Sequence, residues 1–199
     1  MAHVPSADRR RQFIEAASRV IETHGVARAT TRNIAQEAGA PLGALHYCFG
    51  TKEELFEAVS HTFGRLNLAP AMESVRPGMG ITAAVPVLLQ STAKFIAANI
   101  TSELGELEIY VWALRNGRPE MPRRTYEIWM GLVEEALRTA RTEDELDQDI
   151  SAITRLLASL VDGCALMELM TSEQRLEESA ESASRTVVAA IEAGVFRRN

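Results

Sequence analysis

Residues Thr30–Lys52, TTRNIAQEAGAPLGALHYCFGTK, are the stretch from which the fold of this chain can be worked out. They predict two short helices joined by a glycine turn, with a further helix starting directly afterwards. Thr30 can cap the first helix, because its hydroxyl can accept a hydrogen bond from a free backbone N–H two or three residues on. Gly39 allows the left-handed backbone that ends a helix, and Pro41 suits the first turn of the next one. This order is typical of the helix-turn-helix, whose second helix enters the major groove of DNA.

The segment before this motif supplies the apolar partner that such short helices need. A helix is expected from Ser6 to about Thr23, with Gly25 ending it. Its apolar residues recur with helical period and are Phe13, Ile14, Ala17, Val20 and Ile21. The apolar residues of the motif that can pack against this helix are Ile34, Leu45 and Phe49. We therefore predict three helices around one small core.

Charge is distributed unevenly along the 199 residues. The net charge is −6, yet residues 1–66 hold eight basic against seven acidic residues, and the remainder holds thirteen against twenty. The acidic excess therefore lies in the C-terminal part and does not exclude DNA as a partner. The first helix opens with Arg9-Arg10-Arg11, which could be a solvated helix start or a cluster that faces phosphates.

Composition is that of an ordinary soluble protein, with 46% hydrophobic and 24% charged residues. No secretory segment is recognisable, and no apolar run approaches the roughly 18 residues of a membrane span. Cys48 and Cys164 lie far apart and in unlike settings, so we expect no structural disulfide. These features predict a cytoplasmic protein that has no membrane partner.

The remainder of the chain predicts helices throughout, because no stretch alternates with the period of two that strands show. A break with Pro70, Pro77, Gly78 and Gly80 follows a fourth helix that is expected to end near Leu66. We therefore predict two domains, residues 1–66 and 67–199. The later helices are expected at 82–98, 102–116, 119–141, 149–170 and 173–193. The fold class is all-α, with about nine helices.

The run IAQEAGAPLGALHYCFGTKEELFEAV closely resembles the N-terminal domain of TetR-family transcriptional repressors. Their pattern is roughly IA-x-x-AGV-S-x-G-x-L-Y-x-H-F-x-(S/T)-K-(E/D)-x-L-x-x-A-V, and the similarity covers the first third of the chain by motif and the rest by helix layout. The chain departs from it in four places. Ala40 replaces Val, Pro41 replaces Ser or Thr, His46 replaces Tyr, and Cys48 replaces His.

The resemblance implies a set of DNA contacts in and around the two short helices. We expect these at Thr31, Arg32, Pro41, Leu42, Gly43, His46, Tyr47 and Lys52. Arg32 and Lys52 would meet phosphates, Gly43 would let the backbone approach the DNA, and Leu42 would meet a thymine methyl. The alternative for His46 and Tyr47 is that they are half-buried helix residues. Cys48 is expected to be a small filler rather than a redox sensor.

The resemblance also implies a C-terminal domain that binds a small-molecule effector and dimerises through its last two long helices. Candidate effector residues are Tyr110, Trp112, Tyr126, Trp129, Cys164 and Met167. The alternative is that each of these simply packs. The run LLASLVDGCALMEL, with Asp162-Gly163 in mid-helix, looks like the dimer helix, and close packing at Gly163 would be a reason to keep a glycine there.

The expected function is that of a sequence-specific DNA-binding transcriptional regulator, a repressor that a small molecule releases from a palindromic operator. Its partners would be double-stranded DNA, an effector and a second copy of the chain. No enzyme motif (GxGxxG, Walker loop, GxSxG or HExxH) is present, and the histidines are too scattered for a metal site, so no cofactor or metal is expected. The alternatives are a small-ligand carrier or helical enzyme with an incidental helix-turn-helix, and a ligand-independent regulator or activator.

Overall fold

The computed structural model describes residues 6–198, apart from the side chains of residues 63–70. Within this range the chain forms nine α-helices and two short 3-10 helices, and the only β-type pairing is an isolated bridge between Gln148 and Arg197. The α-helices are α1 (Ser6–His24), α2 (Thr31–Glu37), α3 (Leu42–Cys48), α4 (Lys52–Ser74), α5 (Ile81–Ala98), α6 (Ile100–Arg115), α7 (Glu120–Ala140), α8 (Ile150–Thr171) and α9 (Leu176–Glu192). The all-α prediction is confirmed.

The chain divides into two compact units, and this division differs from the predicted one. The first unit contains Met1–Gly64 and Thr101–Thr125, and the second contains Arg65–Ile100 and Tyr126–Asn199. The predicted assignment of residues 101–125 to the C-terminal part does not follow the packing. Ile109, Ala113 and Met121 are buried in the same apolar cluster as the helix-turn-helix residues. The division into 1–66 and 67–199 as functional domains stays a prediction.

The short helices of the first unit begin and end as their sequence predicts. The Thr30 hydroxyl accepts a hydrogen bond from the Asn33 N–H at 3.2 Å, and Gly39 ends the α2 turn with a φ of +59°. Leu45 and Phe49 are fully buried against α1. These contacts orient α3, because a helix of barely two turns takes its stability from tertiary packing.

Helix α4 is longer than predicted. The Thr51 hydroxyl caps its start by accepting from the Glu54 N–H at 3.1 Å, as expected, but the helix continues past Leu66 and through Pro70 to Ser74. A proline inside a helix removes one backbone hydrogen bond. Packing outweighs that loss here, because Ala71 in the last turn is fully buried in the core of the second unit.

The second unit is built around α5, α8 and α9, with the C-terminal half of α7 against them. By length and apolar composition alone α5 and α8 could each cross a membrane, which corrects the expectation that no run approaches that length. Helix α5 buries most of its large apolar residues in the core, whereas α8 buries Ile150, Ile153 and Leu157 there and leaves apolar residues near its C-terminal end exposed. The Asp149 carboxylate caps α8 by accepting from the Ala152 N–H at 3.1 Å.

Candidate nucleic-acid interface and effector region

One face of α3 is exposed to solvent, while the opposite face packs into the core of the first unit. Leu45 is completely buried, whereas the Tyr47 side chain is 86% exposed and Leu42 is 40% exposed. Gly43 and His46 are exposed on the same short helix. A Cβ built at Gly43 would meet nothing within 4 Å, so the protein interior does not require a glycine at this position. The structure thus brings four of the predicted DNA contacts onto one accessible face.

The other predicted contacts lie at the starts of the neighbouring helices. Thr31 is half-buried and Arg32 is exposed in the first turn of α2, and Pro41 is the exposed N-cap of α3. Free backbone N–H groups and the helix dipole at such ends favour anions. These positions can therefore meet phosphate groups on either side of the exposed α3 face.

Lys52, at the start of α4, is half-buried and lies over two aromatic rings. Its Nζ is 4.7 Å from the centre of the Phe56 ring and 5.4 Å from that of Trp112. Desolvation by these neighbours lowers the pKa of the Lys52 ammonium, and the adjacent Glu53 carboxylate opposes that shift. The aromatic rings hold the ammonium in place by cation–π attraction.

The arginine run at the start of α1 makes contacts within the chain. The Arg10 Nη1 donates to the Cys48 carbonyl at 2.8 Å, and its guanidinium carbon lies 4.0 Å from the centre of the Phe49 ring. The Arg11 Nη2 is 3.0 Å from the Asp8 carboxylate. Arg10 therefore binds the C-terminal end of α3, where a cation is favoured by the helix dipole.

A second residue of α1 holds the other helix of the motif. The Gln12 Nε2 donates to the Ala38 carbonyl at 2.6 Å, at the end of α2. Arg10 and Gln12 were not predicted to serve the motif in this way. The arginine run was visible in the sequence, but nothing in its pattern shows that one member reaches a carbonyl 38 residues away.

Helix α6 contacts α1 and the turn that follows it within the first unit. The Glu108 carboxylate accepts from the Val26 N–H at 2.6 Å, next to Gly25 with its φ of +76°. Gly105 packs so closely that an added Cβ would lie 2.9 Å from the Ile21 Cγ2. The sequence analysis did not identify Glu108, because a glutamate in a helix carries no signal of a distant backbone partner.

Two of the six candidate effector residues, Tyr110 and Trp112, belong to the first unit. The Trp112 ring meets Phe56 edge to face, with ring centres 5.0 Å apart, and it lines a surface groove of about 330 Å³ that also includes Val26 and Glu108. The Tyr110 hydroxyl donates to the buried Glu106 carboxylate. Trp112 thus packs against the core of this unit and also lines the groove, and its role as an effector contact stays a prediction.

The other four candidates belong to the second unit and differ in setting. The Tyr126 hydroxyl donates to the Asp162 carboxylate at 2.7 Å, and Trp129 packs half-buried against the core. Cys164 lines a narrow apolar crevice of about 10 Å³, which is room for a single water. Burial raises the pKa of the Cys164 thiol, and Met167 is 65% exposed. Of these four residues, Tyr126 and Trp129 therefore provide aromatic surface, and the polar group next to Tyr126 is the Asp162 carboxylate.

The sequence analysis did not predict Asp162 as the hydrogen-bond partner of Tyr126. It was noted only as part of the dimer helix, although one acidic residue inside the apolar run LLASLVDGCALMEL is itself a signal. Among residues 6–198 no group of three His, Cys, Asp or Glu is placed to hold a metal ion.

Comparison with known proteins adds to this geometry. Residues 13–59 match the family described as bacterial regulatory proteins, tetR family. The chain is 30% identical to the HTH-type nicotine-responsive transcriptional repressor HdnoR of Paenarthrobacter nicotinovorans over 168 residues. This alignment covers 82% of the chain and 84% of the relative.

Solved structures share the fold over almost the whole length. The multidrug binding protein EbrR complexed with ethidium matches with a TM-score of 0.62 at 28% identity, covering 92% of this chain and 99% of that one. A TetR transcription regulator from Haloarcula marismortui matches with a TM-score of 0.76 at 22% identity, covering 92% and 98%. The latter likeness shows the fold alone.

Proposed function

The chain belongs to the TetR family of bacterial regulatory proteins, and from that premise we propose that it is a homodimeric, cytoplasmic repressor that a small aromatic effector releases from a palindromic operator. It is a DNA-binding transcriptional regulator, and its relatives are regulators rather than enzymes.

The observation that carries the DNA-binding role is the accessible face of α3. Leu42, Gly43, His46 and Tyr47 lie exposed on a helix whose opposite side is anchored in the core through Leu45. A helix of this kind presents base-reading side chains to the major groove, while the flanking helix starts meet phosphates. We assign base contact to the α3 face, phosphate contact to Thr31, Arg32 and Lys52, and an apolar contact with DNA to Pro41. Pro41 can take part only through its ring, because it has neither an N–H nor a hydroxyl.

Dimerisation is proposed through α8 and α9. Leu166, Met167 and Met170 of α8 are exposed large apolar residues, at 47%, 65% and 68%. Residues of this kind on one helix favour a protein–protein interface. A two-fold dimer would place two copies of α3 in successive major grooves about 34–36 Å apart, which requires a palindromic operator.

The effector is proposed from the relatives together with the aromatic residues of the second unit. HdnoR is nicotine-responsive and EbrR was solved with ethidium, and both compounds are aromatic and contain nitrogen. The dimer would have one conformation in which the spacing of its two α3 helices fits the operator and another in which it does not. An effector that binds the second conformation more tightly shifts the population away from the operator-bound form. Useful induction needs a coupling of about 1–3 kcal/mol.

The test begins with genomic DNA fragments that the purified protein itself selects, so that a distant operator is not missed. Fluorescence anisotropy then compares the selected fragment with a scrambled one at two salt concentrations. Tight binding to the selected fragment alone, weakening with salt as phosphate contacts require, is the expected result.

Lys52→Ala is expected to weaken operator binding and to reduce the salt slope by about one unit, as the loss of one phosphate contact does. Lys94→Ala is the matched control, because Lys94 is an exposed lysine of α5 in the second unit. Equal, weak binding of the wild type to selected and scrambled DNA would favour the carrier interpretation and contradict the proposal.

A further inference from the structure

We propose that Trp112 is a positioning residue for DNA binding, because its indole ring holds the Lys52 ammonium at the start of α4, where that ammonium can meet a phosphate. The inference rests on the proposed function, in which Lys52 contacts the DNA backbone. It goes beyond that function by giving a side chain of α6, a helix outside the DNA-binding motif, a part in operator binding. Trp112 acts through Lys52 and makes no DNA contact of its own.

The Lys52 ammonium lies beside two aromatic rings that come from different helices. Phe56 follows Lys52 by four residues on α4, so the two side chains share one side of that helix, and the Nζ is 4.7 Å from the ring centre. The centre of the Trp112 ring on α6 is 5.4 Å from the same nitrogen. Both distances are within the roughly 6 Å over which a ring attracts a cation. Phe56 is therefore a local partner, and Trp112 is the partner that tertiary packing supplies.

The indole of Trp112 has a defined orientation of its own. Its ring meets the Phe56 ring edge to face, with centres 5.0 Å apart and planes at 73°. Phe56 is completely buried, and Trp112 is half-buried against the same core. Edge-to-face pairs are a favoured arrangement of aromatic rings. Because the core fixes the indole, the ring can orient the flexible lysine rather than follow it.

The charge of Lys52 stays available for DNA. In the described part of the chain, residues 6–198, no carboxylate forms an ion pair with this ammonium, which has three donors and no acceptor. Desolvation by the surrounding protein lowers the pKa of the ammonium, and the Glu53 carboxylate opposes that shift. A cation that has lost part of its hydration interacts more strongly with a phosphate than a fully hydrated one does.

Holding the ammonium in place matters because lysine has a long and flexible side chain. Binding a phosphate with a free lysine costs the side-chain entropy that is lost when the stem is immobilised. The two rings restrict the stem before DNA arrives, which reduces that cost. Loss of the indole should therefore weaken operator binding only while Lys52 is present, so the effects of the two substitutions should not add.

The experiment is a double-mutant cycle on operator affinity, measured by fluorescence anisotropy without effector on the fragment that the protein selects. It compares the wild type, Trp112→Leu, Lys52→Ala and the double variant. We expect Trp112→Leu to weaken binding about fivefold in the wild type and to cause no further loss in Lys52→Ala. Trp112→Phe keeps a ring and should stay within about twofold of the wild type. Leu114→Ala is the control on the same helix, because Leu114 is 57% exposed.

Three results of the cycle would overturn the inference. Trp112→Leu could bind the operator as tightly as the wild type does. It could weaken binding by the same factor with and without Lys52, which would mean that Trp112 acts through the fold of the first unit. Trp112→Phe could lose as much affinity as Trp112→Leu, which would mean that the aromatic ring is not what holds the lysine.

A second measurement needs no variant at Trp112, so it stands even if Trp112→Leu does not fold. Lys52 and Lys94 are the two lysines of the chain, and Lys94 is exposed on α5. In a protein labelled with ¹³C-lysine, NMR should therefore show two sets of Hε signals, which Lys94→Ala assigns. Ring currents should shift the Lys52 Hε signal upfield of the Lys94 signal. Coincident signals would contradict the inference, since the rings would then not hold the Lys52 side chain.

The same titrations separate this inference from the proposed function. A wild type that binds its operator while Trp112→Leu and Lys52→Ala behave like it overturns the role of both side chains and leaves the regulator intact. Loss of affinity in Lys52→Ala alone supports the phosphate contact and overturns the role of Trp112. A wild type that binds no operator overturns the proposed function, and with it the role of Trp112 in DNA binding.

Discussion

Arg10 contacts the C-terminal end of α3, and we expect it to support DNA binding without touching DNA. Its guanidinium donates to the last carbonyl of α3 and lies over Phe49, so it holds the orientation of that helix. Arg10→Ala is expected to weaken operator binding by about tenfold, while the slope of affinity against salt concentration stays unchanged. Anisotropy titrations over a series of salt concentrations measure both quantities.

Arg11→Ala is the matched control for this prediction. Arg11 carries the same charge one residue on, and its ion pairs with Asp8 and Glu15 are exposed. Exposed pairs contribute little to stability, so this variant should keep both fold and affinity. A salt slope that fell by about one unit in Arg10→Ala would mean that the guanidinium meets a phosphate instead.

At the scale of elements, the close packing of α6 on α1 depends on Gly105. A Cβ at this position would lie 2.9 Å from the Ile21 Cγ2, so the Ile21 side chain or one of the two helices must shift. Gly105→Ala is therefore expected to lower the free energy of unfolding by about 1–3 kcal/mol, even though alanine is the better helix former. Urea denaturation followed by circular dichroism measures this change.

Gly131→Ala provides the comparison, because a Cβ at Gly131 in α7 would meet nothing within 4 Å. It should raise stability by up to about 1 kcal/mol through helix propensity alone. If both variants were equally stable, the contact between α6 and α1 would be looser than the structure describes, and Glu108 would be the main link of α6 to the turn after α1.

At the scale of the whole molecule, Gly163 tests where two copies meet. Within one chain a Cβ at Gly163 has open space around it, so the fold of a single copy gives no steric reason for glycine. If α8 packs closely against its counterpart, Gly163→Ala should raise the dimer dissociation constant by about tenfold or more, as overpacking does. Sedimentation equilibrium over a range of protein concentrations measures the constant.

Gly131→Ala again serves as the control, since it adds the same methyl group to α7. An unchanged dissociation constant for Gly163→Ala would show that the interface does not close on this glycine. The exposed apolar residues Leu166, Met167 and Met170 would then have to contact the second copy without close backbone approach.

Local features were predictable because each depends on residues a few positions apart. The caps at Thr30 and Thr51 and the left-handed Gly39 involve only near neighbours in the chain. The helical period of α1 and the apolar residues of the motif likewise predicted the three-helix core, and the family resemblance implied the exposed α3 face. The family resemblance rests on the same contiguous run, so fold class and DNA-binding function could both be inferred from sequence.

Other features depended on which surfaces pack together, and only the tertiary structure decided them. Arg10 reaches a carbonyl 38 residues away, Tyr126 pairs with Asp162 across 36 residues, and Glu108 binds Val26 across 82. A helical period indicates that α6 has an apolar side, but it does not show which of the two apolar cores that side packs against. The sequence by itself therefore determined most helices and the DNA-binding motif, whose interactions are local. Packing in three dimensions decided which unit α6 joins, how far α4 runs and which side chain pairs with Tyr126.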